Sequence, residues 1–188
     1  MAGIGHNRGP GMGSSFRAHC WSVARREILG ARLPIEVVRL QVNRAKALGL
    51  DYKTYAGVRA TTGRDLVAFL YSSNGLGVFR TTQPIDAAAR DRIALVAASP
   101  HLGCSPGLAP DALGRQIGAA STRMLAPFGT SWSAMRDEMK GWLRAQGLPG
   151  DAVLMIGETG HEREMMTAGG LAGFVPGQRF FAGVANAI

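Results

Sequence analysis

Residues 66–77 read LVAFLYSSNGLG. Six apolar residues, Leu66 to Tyr71, stop at Ser72-Ser73-Asn74 and a pair of glycines. A run of that length, without polar alternation and bounded by turn residues, is the pattern of a strand covered on both faces of a parallel sheet. The same texture returns further along the chain. Residues 93–98 (IALVAA) and 152–156 (AVLMI) read as a second and a third buried strand, and 171–175 as a fourth. Helical patterns lie between them at 84–90, 111–125, 131–146 and 162–168. In the third of these, Trp132, Met135, Met139, Trp142 and Leu143 form an apolar stripe. Residues 99–110 (SPHLGCSPGLAP), with three prolines, read as a loop. Strands alternating with helices predict an α/β fold, a small three-layer parallel sheet of about four strands. Phe180 and Phe181 are expected to close its core.

Ahead of the sheet the pattern is helical. Residues 1–15 hold five glycines and a proline and read as a flexible arm. Phe16, Cys20, Val23, Ala24 and Ile28 recur at helical spacing. Pro34 opens a second helix that Gly49 ends. Asp51 is placed to cap a third, over 52–61. The division expected is an arm (1–15), a basic helical segment (16–63) and an α/β domain (64–188).

Charge separates the last two. Residues 1–64 carry eleven Lys/Arg against Glu27, Glu36 and Asp51, a balance of +8 that equals the formal charge of the whole chain. The other residues sum to zero. Such asymmetry points to a polyanionic partner, nucleic acid before an acidic protein. Arginine outnumbers lysine 18 to 3, the bias of a GC-rich genome, but codon bias does not remove acids from one third of a chain. At 46% apolar residues the chain can build a core. No apolar run approaches the roughly 18–20 residues of a membrane helix. The amino terminus lacks the apolar stretch of a secretory leader. Cys20 and Cys104 show no metal spacing, and two thiols fit a reducing compartment, so the cytoplasm is the expected location.

Two stretches carry functional signals. Residues 43–60 read NRAKALGLDYKTYAGVRA. Together with Gln41 and Val42 they resemble the helix-turn-helix of bacterial DNA-binding proteins. Ala45 stands at the small position of the first helix and Gly49 at the turn. Leu48, Leu50 and Val58 stand at anchoring positions, and Tyr55 where the motif has an aliphatic residue. The resemblance implies base contacts from Tyr52, Lys53, Thr54 and Arg59, and phosphate contacts from Arg39, Arg44 and Lys46. A capped helix start beside a lysine favours phosphate independently of that resemblance.

Residues 152–175, AVLMIGETGHEREMMTAGGLAGFV, resemble the last motif of haloacid-dehalogenase-like phosphatases. There a strand ends in Gly-Asp, a further acid follows, and the acids hold magnesium. Glu158 and Glu162 match those acids, and Ser99 matches the hydroxyl that follows the family's second strand. The family's first strand ends in an aspartate nucleophile followed by a second aspartate. Here it ends in Ser72-Ser73-Asn74. Without the carboxylate no aspartyl-phosphate forms, and a magnesium ion loses a hard oxygen ligand. The resemblance therefore implies the fold without the reaction. With ligands gathering at the carboxyl ends of parallel strands, Ser72, Ser73, Asn74, Ser99, Glu158 and Glu162 are the expected ligand contacts, and the glycine-containing stretch 72–77 offers its backbone amides as a phosphate rest.

No complete catalytic motif, cofactor fingerprint or HExxH pattern is present, and no catalytic or metal residue is assigned. His161 has no second histidine at ligand spacing. His101 and Cys104 lie in a proline-rich stretch without an orienting acid. The function expected first is nucleic-acid binding, DNA ahead of RNA, without membrane contact. The alternative is a catalytically incomplete haloacid-dehalogenase-like protein holding a phosphate-containing ligand.

Overall fold

The computed structural model describes residues 33–182. The elements in chain order are α1 (Ile35–Ala47), α2 (Tyr52–Thr62), β1 (Ala68–Ser72), α3 (Ala87–Leu95), β2 (Ser99–Cys104), α4 (Pro110–Gln116), β3 (Ser121–Met124), α5 (Trp132–Ala145), β4 (Val153–Gly157), α6 (Gly160–Gly169), β5 (Gly173–Pro176) and α7 (Gly177–Ala182). The expected helix over 16–30 lies outside the described residues. No described helix is long and apolar enough to cross a membrane.

The chain divides into Met1–Leu40 and Gln41–Ile188, a division that α1 crosses. In the first unit Pro34 O accepts from Val38 N, and Arg39 pairs with Glu36 at 2.9 Å. In the second unit the helix pair supplies part of the core. Ala45, Leu48, Leu50 and Tyr55 are buried in one cluster with Phe69, Tyr71, Leu102, Leu154 and Ile156.

The five strands are all parallel in the order β3-β2-β1-β4-β5. β1 is central, with Tyr71 beside Leu102 of β2 and Ile156 of β4. Alternate residues face opposite layers, as a pleated strand requires. Phe69 and Tyr71 face the layer that includes α2, α3, α4 and α7. Ala68 and Leu70 face α5 and α6 through Met135, Met139, Trp142 and Met165. Each large side chain buried there contributes about 1.5–3 kcal/mol. Phe180 closes the first layer edge-on to Phe69 and Tyr71, with Phe181 packed against it.

Local chemistry sets the ends of the elements. Asp51 caps α2 by accepting from Thr54 N, and Ser131 caps α5 by accepting from Ala134 N. Gly49 makes the α1–α2 turn at φ 65, a conformation that a side chain resists. The predicted stripe on α5 is buried except Trp132, which stands in the first turn at 49% exposure.

Three expectations are corrected. Residues 93–98 are the end of α3 and a linker, not a strand: Ala89 and Ile93 are buried one turn apart, while Leu95 stays exposed. The strand is Ser99–Cys104, the stretch read as loop. Its Pro100 sits second in the strand, where a missing N–H removes only one ladder bond. Its Gly103 is needed because a Cβ there would run into the Leu125 side chain. The helix expected over 111–125 is α4 followed by β3, which makes the fifth strand. Gly114 lets the Thr122 methyl lie against α4, and Gly118, at φ 60, turns the chain between them.

Candidate functional site

β1 has β2 on one side and β4 on the other, so the topology switches direction at β1 and β4. Ligands of open parallel sheets gather at the carboxyl ends of such strands. Three segments meet there: 72–77 after β1, the turn at Ser105 after β2, and 158–162 after β4.

The hydroxyls after β1 are turned inward. Ser72 is fully buried, and its Oγ accepts from Gly75 N at 2.8 Å. Ser73, also buried, donates to Ser105 Oγ at 3.1 Å and accepts from Ser105 N at 3.0 Å. The amides of Gly75, Leu76, Gly77 and Val78 are all spent within the loop, on Ser72, Asn74 and Ser73 oxygens. The expected phosphate rest on these amides is therefore closed. Ser99 is at the opposite end of the sheet, the first residue of β2. The hydroxyl at the carboxyl end is Ser105, which the sequence hides because the strand before it carries the proline and glycine of a loop. The Cys-Ser-Pro-Gly turn at 104–107 was the available signal.

Asn74 and Glu162 join the ends of β1 and β4. Asn74 Nδ2 donates to Glu162 Oε1 at 3.0 Å, and the other carboxylate oxygen accepts from Glu158 N at 2.7 Å and Thr159 N at 2.8 Å. Glu162 is 1% exposed. It sits at the third position of α6, where Thr159 takes its amide in return, a capping box. Its charge is thus held by three N–H donors at a helix start. Glu158 is exposed and accepts from Gln178 N at 3.3 Å.

The magnesium that the resemblance implies does not fit this set. Both Glu162 oxygens are occupied, Ser72 is turned onto Gly75, and Asn74 stands where a second carboxylate is required. Glu158 alone remains, short of the hard-oxygen octahedron that magnesium demands. Among the described residues no group of three or more His, Cys, Asp or Glu is placed to hold a metal ion.

Above the Asn74–Glu162 link lies a cleft of about 610 Å³. Ser105, Thr159 and His161 give it polar edges, and Pro106, Phe128 and Met165 apolar ones. His161 Nε2 lies 3.0 Å from Ala126 O, its Nδ1 lies 4.0 Å from Glu164, and Phe128 meets the ring edge-on at 5.6 Å. Phe128 is 92% exposed.

His101 and Cys104 point to opposite faces of β2, and burial pushes the Cys104 thiol up to about 11, so they make no nucleophile–base pair. His101 packs instead toward α5. Its Nδ1 lies 2.7 Å from Ser121 Oγ, which also accepts from Trp142 Nε1, and its Nε2 is buried without a partner among the described residues. Burial lowers the His101 pKa below the usual 6.5. The folded protein then holds a neutral ring, while the unfolded chain binds a proton below 6.5. Stability is fully present above that pH and falls as pH drops through it. Urea midpoints measured from pH 8 to pH 5 are expected to show that decline, and His101→Gln is expected to lose this part of the slope.

The residues expected on nucleic acid divide into two sets. Arg44 is a clamp within the fold, donating to Asp65 Oδ2, Leu66 O and Ala97 O at 2.8–3.1 Å. Arg39 pairs with Glu36, and Thr54 bonds Asp51 and Arg179. Burial opposes the Asp51 charge, but hydrogen bonds from Thr54 and the nearby Arg179 hold its carboxyl below the usual value. An anion thus stays at the start of α2, where a phosphate would have to approach. Tyr52 and Lys53 are exposed, with Tyr52 reaching Gln41 at 3.5 Å. Lys46, Lys53 and Arg59 make no ion pair among the described residues. Tyr55, at the aliphatic position of the motif, is buried and donates to Asp65.

No family model matches the chain, and neither a curated protein nor a solved structure matches it.

Proposed function

We infer that the chain is a small-ligand-binding α/β protein, built on the haloacid-dehalogenase-like plan without its hydrolytic chemistry. The observation that carries this reading is the Asn74–Glu162 link, which ties β1 to β4 at the floor of the cleft and uses up the carboxylate that a phosphatase needs. The cleft has the size and mixed lining of a small-molecule site. Glu162 and Glu164 line it, so a phosphate dianion meets like charge, whereas a neutral planar ligand can lie on Phe128 and bond Ser105 or Asn74. This reading takes precedence over nucleic-acid binding because Arg39, Arg44 and Thr54 are already engaged within the protein.

Benzamide and phenyl phosphate serve as probes. Benzamide is expected to shift the amide signals of Phe128 and His161 saturably, and Ser105→Ala to weaken it about tenfold, the effect of one lost hydrogen bond. Phenyl phosphate with magnesium is expected to leave those signals unmoved and to release no phosphate. Phosphate release that Glu158→Ala abolishes would overturn the reading.

A further inference from the structure

A second cavity, of about 830 Å³, opens on the other side of Asn74 between α3, α7 and the end of α1. Its wall is mostly apolar: Leu76, Phe79, Leu95, Val96 and Phe181 line it. Phe79 and Leu95, at 68% and 83% exposure, form part of that apolar surface. One charge in this wall is half-buried, that of Arg92. Its guanidinium lies over the Phe180 ring at 4.8 Å and donates through Nη2 to Gly49 O at 2.9 Å. That is its one hydrogen bond to the described residues, and its Nε is enclosed without an acceptor. No acid comes within ion-pair distance of it there. A second polar atom lies unpartnered beneath the same wall. Tyr71 OH is fully buried, and its ring lies 6.4 Å from that of Phe181. A half-buried guanidinium with five donors and one acceptor is suited to a planar anion, which it binds best.

We propose that this cavity binds an organic monoacid: a carboxylate seated on Arg92, with the exposed Lys46 beside it, and an apolar chain or ring along Phe79, Leu95 and Phe181. Asp86, Asp91 and Glu158 also line the cavity, and all three are exposed. Two are already occupied, Asp86 as the α3 cap accepting from Ala89 N and Glu158 accepting from Gln178 N. Asp91 adjoins Arg92 in sequence on α3, and neighbours one apart on a helix do not face each other. Water screens these exposed acids more than it screens Arg92. They select against a second negative charge on the ligand, which is why a carboxylate is favoured over a phosphate monoester. The cavity volume suits a body of about ten carbons, within the usual range of small-molecule sites.

The test uses decanoate, decanol and decylamine below their aggregation concentrations, by isothermal titration calorimetry on the full chain. Decanoate is expected to bind saturably at one site, at least about tenfold more tightly than either analogue, the discrimination of one charge-assisted hydrogen bond. Arg92→Gln is expected to remove that preference while leaving decanol unchanged. If Arg92→Gln does not fold, Leu95→Glu tests occupancy of the same cavity at an exposed position, and decanoate affinity falls there about tenfold. Amide shifts on titration are expected at Leu95, Val96 and Phe181 and not at Phe128 or His161, which separates this cavity from the cleft above Glu162. Equal binding of decanoate and decylamine, no binding of decanoate, or unchanged affinity in Leu95→Glu would each overturn the proposal.

Discussion

Glu162→Ala is expected to lower the free energy of unfolding by about 3–5 kcal/mol, the range for removing one member of a buried, hydrogen-bonded charge arrangement. The carboxylate is 1% exposed and accepts from Asn74 Nδ2 and from the amides of Glu158 and Thr159. Alanine leaves those three donors without their carboxylate, and each donor so orphaned costs about 1–3 kcal/mol before relaxation. It also removes half of the capping box of α6. Glu162→Gln should behave differently. Its carbonyl can accept from the two amides, and Asn74 can turn its own carbonyl toward the new amide, so all three bonds survive. The expected loss there is about 1 kcal/mol or less. Urea unfolding followed by circular dichroism checks both. An alanine variant within 1 kcal/mol of the parent would mean that the link between β1 and β4 contributes little, and the reading of the cleft floor would fail with it.

Gly177→Ala is expected to be nearly as damaging, about 3 kcal/mol or more, by forcing backbone apart rather than by leaving a hole. A Cβ at 177 would overlap the carbonyl of Gly75, and one at Gly75 would lie 2.6 Å from Ile156 O and 2.9 Å from Gly157 Cα. The contacts are with backbone, so no rotamer change relieves them. The loop after β1, the end of β4 and the start of α7 approach this closely because two glycines face each other. Gly141→Ala is the control. Gly141 sits inside α5 with open space where a Cβ would go, so alanine should stabilise by about 0.5–1 kcal/mol. Thermal melts of the three proteins decide the matter: a Gly177→Ala melting temperature at or above that of Gly141→Ala would mean that the close approach does not exist.

Local signals were legible where one short-range rule acts alone. The buried strands at β1 and β4, the caps at Asp51 and Ser131, and the Gly49 turn follow from runs of apolar residues and from side chains that reach the next turn. β2 was not legible because Pro100, Gly103 and the following Ser-Pro-Gly carry turn chemistry within one short stretch. Gly103 is there for contact with Leu125, 22 residues away, which no local pattern records. The error carried into the site. With the strand placed at 93–98, Ser99 took the place at the carboxyl end that belongs to Ser105.

The amino-acid sequence by itself determined the class of the fold, an α/β body with covered strands, and the absence of a carboxylate from Ser72-Ser73-Asn74 at the end of β1, since a carboxylate that is not encoded cannot be supplied by folding. It also determined the excess of positive charge in the first third. Only the tertiary structure decided how the arginines of the described residues are used. Arg44 reads as a phosphate contact until Asp65, Leu66 and Ala97 are brought around it, and Arg92 is one arginine among eighteen until α3 sets it, without an ion pair among the described residues, in a mostly apolar wall. The reason is physical. Whether a side chain is apolar or charged belongs to the residue, whereas its partners and its desolvation depend on contacts between segments far apart in the chain, which exist only after the sheet has formed.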